Sequence, residues 1–211
     1  MKLSINNISK IVGVIIGILL FVLLITGITY AWFTWKSSNI NITGSSACFT
    51  VDYTKGPNIS NEDVILFDES KIISNNQITI KEGMALTAVT AGIKSTCTIS
   101  GDLIINLNVT TLNNAYISGN SVGAFKYILA SYDPNTYTTI STSALSGQKF
   151  DIIKTESITS TGSITITSET LSTTKKGFLI IFYVDGDLVN NDAGGSSFSA
   201  TIEAVARQVE S

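Results

Sequence analysis

Residues 102–110 read Asp-Leu-Ile-Ile-Asn-Leu-Asn-Val-Thr. Leu103, Ile105, Leu107 and Val109 fall on one side of an extended chain, and Ile104, Asn106 and Asn108 on the other. A period of two belongs to a strand with one buried and one wet face. The pattern recurs in both directions along the chain. Phe49 to Tyr53, Gln77 to Lys81, Ser163 to Thr167 and Phe198 to Val209 all alternate. Leu86 to Ile93 and Phe125 to Tyr132 also read as strands, and a short one is expected around Val64 to Phe67. Phe178 to Val184 is the most apolar of the set and is expected at the centre of a sheet. Glu82-Gly83, Asp133-Pro134-Asn135 and Asp185-Gly186 read as turns, as does Lys55-Gly56-Pro57-Asn58. Lys175-Lys176-Gly177 reads as a break, Asn113 to Gly123 as a loop, and residues 136–167 as short Ser/Thr-rich pieces. Short strands divided by turn residues predict a mostly β chain folded as an antiparallel, jelly-roll-like β-sandwich.

One stretch does not fit a sandwich. Between Lys10 and Lys36 no side chain is charged, and Ile11 to Ile28 is almost wholly aliphatic. A run of about 18 such residues is long enough to cross a bilayer as a helix. In lipid only a helix pairs all of its own backbone groups. Lys2 and Lys10 precede the run, with no acidic residue before it. Positive charge stays inside, so the rest of the chain is expected outside the cytoplasm. Tyr30, Trp32, Phe33 and Trp35 cluster where the outer headgroups would lie. The sequence therefore divides into a hydrophobic N-terminal membrane or signal helix, residues 1–35, and an extracellular domain, residues 36–211. The length of the apolar core suits a retained anchor. Thr29-Tyr30-Ala31 equally suits cleavage between Ala31 and Trp32, which would secrete the domain.

The chemistry in the chain is sparse. The sequence of 211 residues contains no histidine, which removes Ser-His-Asp and Cys-His catalysis and most zinc hydrolase sites. No nucleophile-elbow or phosphate-loop motif is present. Acidic pairs such as Glu62-Asp63 and Asp68-Glu69 carry no signature of a glycosidase. No enzymatic activity and no cofactor are expected. Net charge is −3 with scattered lysines, so a nucleic-acid partner is not expected either. Asp185, Asp187 and Asp192, with Asn190 and Asn191, are the one oxygen-rich cluster. It reads as a hairpin end decorated with turn formers or as a calcium site. Cys48 and Cys97 both fall in the exported part, where they read as a disulfide or as two buried thiols. Tyr116, Tyr127, Tyr132 and Tyr137 are candidates for an exposed platform that would take a glycan or a surface protein, or for core packing.

Residues 27–34, Gly-Ile-Thr-Tyr-Ala-Trp-Phe-Thr, resemble the cleavage region of the TasA/camelysin-type family of secreted Gram-positive surface proteins. Asn39 to Thr43, Gly44 and Phe49 to Tyr53 are similar to that family's first strands, and Phe198 to Gln208 to its closing strand. Trp35-Lys36 stands where the family usually carries an acidic residue, and the cysteine pair is outside the pattern. The resemblance implies a jelly-roll domain exported to the cell surface or the biofilm matrix, with self-association into fibres and a structural or adhesive role. Archaeal pilins and archaellins also join an apolar helix to a β-sandwich. In those families a small residue follows the basic one, whereas here Ile11 follows Lys10.

Overall fold

The computed structural model describes residues 34–38, 43–45, 48–54, 66–193 and 198–209. The aliphatic run, Ala31, Trp32, residues 39–42 and the expected turn at 55–58 lie outside them. Among the described residues no helix is long and apolar enough to cross a membrane.

Two antiparallel sheets carry the fold. The small sheet runs β1 (Thr34–Ser38), β13 (Phe198–Val209), β8 (Ser100–Leu112), β11 (Gly162–Thr170), in that spatial order. The large one runs β2 (Thr43–Ser45), β3 (Phe49–Thr54), β7 (Ala85–Ile93), β12 (Lys176–Asp185), β9 (Phe125–Tyr132), β10 (Lys149–Ser157), β6 (Gln77–Thr79), β5 (Ile73–Ser74). A short β4 (Leu66–Phe67) lies parallel to the end of β12. Three one-turn helices interrupt the loops: α1 (Glu69–Ile72), α2 (Asn114–Ile117) and α3 (Thr142–Leu145). Asp68, Asn113 and Ser141 cap their first turns by accepting backbone N–H bonds. Thr34 and Trp35, the end of the predicted helical segment, are strand rather than helix.

The residue pattern explains which strands face what. Along β8, Leu103, Ile105, Leu107 and Val109 are buried against the large sheet. The alternation continues past the predicted end only because of a bulge. Thr111 pairs with Ser199 and Val109 with Ala200, which leaves Thr110 unpaired and turns Leu112 back inward. β7, β9 and β12 differ from β8 in being buried on both faces. Phe178, Ile180, Phe182 and Val184 join the core between the sheets, while Leu179, Ile181 and Tyr183 join a second core on the far side. Strands buried on both sides read as unbroken apolar runs, which is why Phe178 to Val184 stood out. β12 does lie centrally, between β7 and β9. The second core is roofed by short elements: Ile72, Ile78, Ile80 and Met84 from one segment, and Ile140 and Leu145 from another.

Three expectations needed correction. Lys176 and Gly177 do not break the chain but begin β12. Gly177 sits opposite Tyr132, and a Cβ there would fall 2.7 Å from the Tyr132 carbonyl oxygen, so only glycine allows this approach. The predicted loop at 113–123 contains α2. Residues 149–157, read as part of a run of short Ser/Thr-rich pieces, form one full strand. A bulge at Ile153 puts two isoleucines in succession and hides the alternation.

Cys48 and Cys97 are joined in a disulfide, with their Cα atoms 5.7 Å apart. The bridge ties the entrance of β3 to the corner between β7 and β8. The Lys94 N–H also donates to the Cys48 carbonyl at 2.8 Å.

Candidate functional site

The sheet edges are the most conspicuous chemistry left unanswered within the domain. Among the described residues β11 pairs only with β8, so its outer backbone groups have no strand partner. Proteins commonly blunt such an edge with lysine or proline. Gly-Ser-Ile-Thr-Ile-Thr-Ser-Glu-Thr of β11 contains neither. Its one charge, Glu169, faces Lys176 at 3.3 Å. A bulge at Ile166, between Thr165 and Thr167, is the sole interruption. β10 is partly open as well, because β6 covers only Lys149 to Asp151. The opposite edge of the small sheet is β1, held by β13 from Thr34 to Ser38. Sequence showed that 163–167 is a strand but not that it is an edge, since edges are defined by partners.

A charged cluster lies at the far end of β12. Lys126 Nζ, on β9, donates to Asp185 Oδ2 at 2.8 Å and to the Glu69 carboxylate. The Tyr183 hydroxyl donates to the same Glu69 oxygen at 3.0 Å. The Lys126 and Asp185 side chains keep only 15% and 6% of their surface exposed, so these charges are largely dehydrated. Burial alone disfavours both charges, but the attraction prevails. Lys126 is raised by its carboxylate partners and Asp185 is lowered by Lys126. Asp185 is therefore occupied by an ammonium group. Asp187 is exposed and gives its backbone N–H to Asp185 Oδ1, while Asn190 binds Ser121 and Asn120. Asp192 falls in a 3-10 turn, and its side chain lies outside the described residues. Among the described residues no group of three His, Cys, Asp or Glu is placed to hold a metal ion.

Of the two readings of the tyrosines, core packing holds for three and half-burial for the fourth. Tyr116, Tyr127 and Tyr132 are 3%, 0% and 9% exposed, and Tyr137 stacks edge-on against Phe150 at 5.0 Å. An open cleft of about 570 Å³ lies at the start of β12, between Tyr132, Pro134, Asp151, Ile153, Glu169 and Lys176. Its charges are already engaged: Asp151 accepts from Gln77, Asp133 from Thr136, and Lys175 pairs with Asp52. Tyr132 and Phe178 line it from buried positions, which leaves no flat ring for a sugar to stack on.

Buried phenols set an alkaline limit on the fold. Burial, then Glu156 beside its hydroxyl, pushes Tyr127 upward. Burial and the charge of Asp52 push Tyr132 up to about 12. Burial and the charge of Glu69 also raise Tyr183. An unfolded tyrosine ionises near about pH 10. A phenol raised in the folded state gives stability that is complete below that value and lost as pH climbs toward the folded one. Stability is therefore expected to fall steeply above about pH 10. Tyrosinate absorbance and unfolding followed together check this. Full ionisation with the fold intact contradicts it.

No family model and no curated protein matches the chain. Among solved structures, TmCBM61 in complex with β-1,4-galactotriose aligns at 7% identity and TM-score 0.22, covering 84% of this chain and 88% of that one. The enzymatically active domain of bacteriophage CBA120 tailspike protein 4 aligns at 8% identity and TM-score 0.24, covering 83% of this chain. The alignment takes in 19% of the tailspike chain, so this chain spans about a fifth of its length. Scores this low do not establish a shared fold.

Proposed function

We propose that this chain is an exported, non-enzymatic surface protein whose sandwich self-associates edge to edge, as a structural or adhesive subunit of TasA/camelysin type. The observation that carries the reading is the bare β11 edge, nine residues long without lysine or proline. β1 closes the other side of the same sheet. A contact between two different edges repeats head to tail and builds an open filament wherever the rotation does not close into a ring. The apolar run before β1 supports export, with the domain either anchored or released after Ala31. Two antiparallel sheets packed on a shared core support a jelly-roll-like sandwich as the finer description.

Edge-directed assembly has a direct test. Ser163 and Ser168 are exposed on β11. Placing lysines at both, Ser163→Lys with Ser168→Lys, adds the charge that protected edges carry. Electron microscopy of the extracellular form is expected to show filaments for the wild type and dispersed monomers for the variant. Wild-type protein that stays monomeric at all concentrations, or a variant that polymerises equally well, defeats the proposal.

A further inference from the structure

We propose that Lys126 and Asp185 join in an intramolecular isopeptide bond, with Glu69 as the proton shuttle. The three residues come from β9, the end of β12 and α1, far apart in sequence. Lys126 sits opposite Tyr183 in the strand pairing, and Asp185 lies two residues on, so the two side chains share one face of the sheet as diagonal neighbours.

Each role in the condensation has an occupant. The nucleophile is Lys126 Nζ, 2.8 Å from Asp185 Oδ2. The electrophile is Asp185 Cγ. Asp185 Oδ1 accepts the Asp187 backbone N–H at 3.2 Å, which places a donor where negative charge grows as the carbonyl is attacked. Glu69 touches the same Lys126 Nζ that meets Asp185, so the two carboxylates flank one ammonium. Glu69 can take a proton from the amine and hand it to the departing oxygen. The Tyr183 hydroxyl holds Glu69 in that position.

The step balances without any co-reactant. The ammonium of Lys126 and the carboxylate of Asp185 together become one secondary amide and one water. The Nζ–Cγ bond forms, the Cγ–Oδ2 bond breaks, and two protons from nitrogen leave on Oδ2. Glu69 ends as it began. In water this condensation is unfavourable. Here two largely dehydrated charges are exchanged for a neutral amide, which removes the electrostatic penalty of keeping them buried. Fixed neighbours also react as though each were present at an effective concentration on the order of 10⁵ M or more. The product would clamp β9 to β12 covalently at the middle of the large sheet.

Peptide mapping of the full-length chain, reduced and denatured, decides the matter. The expected result is one branched peptide carrying both Lys126 and Asp185, lighter than the sum of its parts by one water. Recovery of the two peptides separately, at unmodified mass, overturns the proposal and leaves an ordinary ion pair. Two variants separate chemistry from structure. Lys126→Arg keeps the charge but not the nucleophile, and Glu69→Gln removes the shuttle. Both are expected to lose the branched peptide while the fold persists by circular dichroism. A branched peptide formed in full by Glu69→Gln overturns the role given to Glu69.

Discussion

Replacing both cysteines, Cys48→Ala with Cys97→Ala, is expected to lower the stability of the domain by about 4 kcal/mol in the chain-entropy account. The bridge closes a loop with a sequence separation of 49, and cross-linking so long a loop removes much of the freedom of the unfolded chain. The folded state should lose little geometry, because Phe49 pairs with Ile93 and the Lys94 N–H still reaches the Cys48 carbonyl. Denaturant titration of the oxidised wild type against the double variant measures the difference. A loss under about 1 kcal/mol would mean that the unfolded chain is already compact around β3 and β7. The bridge also bears on location, since such a bond persists in an oxidising compartment.

Phe198→Ala is expected to destabilise by about 3–5 kcal/mol, the range for a buried aromatic cut back to a methyl group. Phe198 opens β13 and is 3% exposed. Its ring lies 4.3 Å from that of Phe125 and 5.7 Å from that of Phe182, centroid to centroid. It therefore joins the small sheet to the two central strands of the large one. Removing it leaves a void that those neighbours, each fixed by its own strand, cannot fill. Thermal or chemical denaturation checks the magnitude. A cost below about 1 kcal/mol would show that the end of β13 contributes little to the core.

The two predictions differ in how visible their causes were in the sequence. Phe125 to Tyr132 and Phe198 to Val209 coincide with β9 and β13, because an apolar run in the first and alternation in the second are bounded by turn formers or irregular chain. β10 was hidden by the Ile153 bulge, which breaks the period that identifies a strand. The second core was only partly legible, for another reason. The alternation at Gln77 to Lys81 marked β6, but the rest of the roof comes from loops, one two-residue strand and one-turn helices at 72–84 and 140–145, too short to show periodicity. The disulfide could be posed as a question from compartment and composition, but pairing depends on distance, which sequence does not encode.

The candidate sites follow the same division. Asp185 was noticed as one of several turn acids, yet Lys126 lies 59 residues before it and Glu69 a further 57 before Lys126. Only the folding of β9 against β12, with α1 beside them, assembles the group. The four tyrosines were open to two readings, an exposed platform or core packing; Tyr116, Tyr127 and Tyr132 are packed inside, and Tyr137 is half-buried against Phe150. The open edge of β11 is a property of the sheet as a whole and has no local signal beyond the lack of lysine and proline.

Export of the sandwich is the claim on which the functional reading stands. Lys71 on α1 offers a reporter, since its side chain is 78% exposed. Intact cells and their medium can be treated with an amine reagent that does not cross membranes, and the protein mapped by mass spectrometry. The account predicts that Lys71 is modified without lysis, in protein whose cysteines are already bridged. Lys71 that reacts only after the cells are broken open, in protein with free thiols, would contradict it.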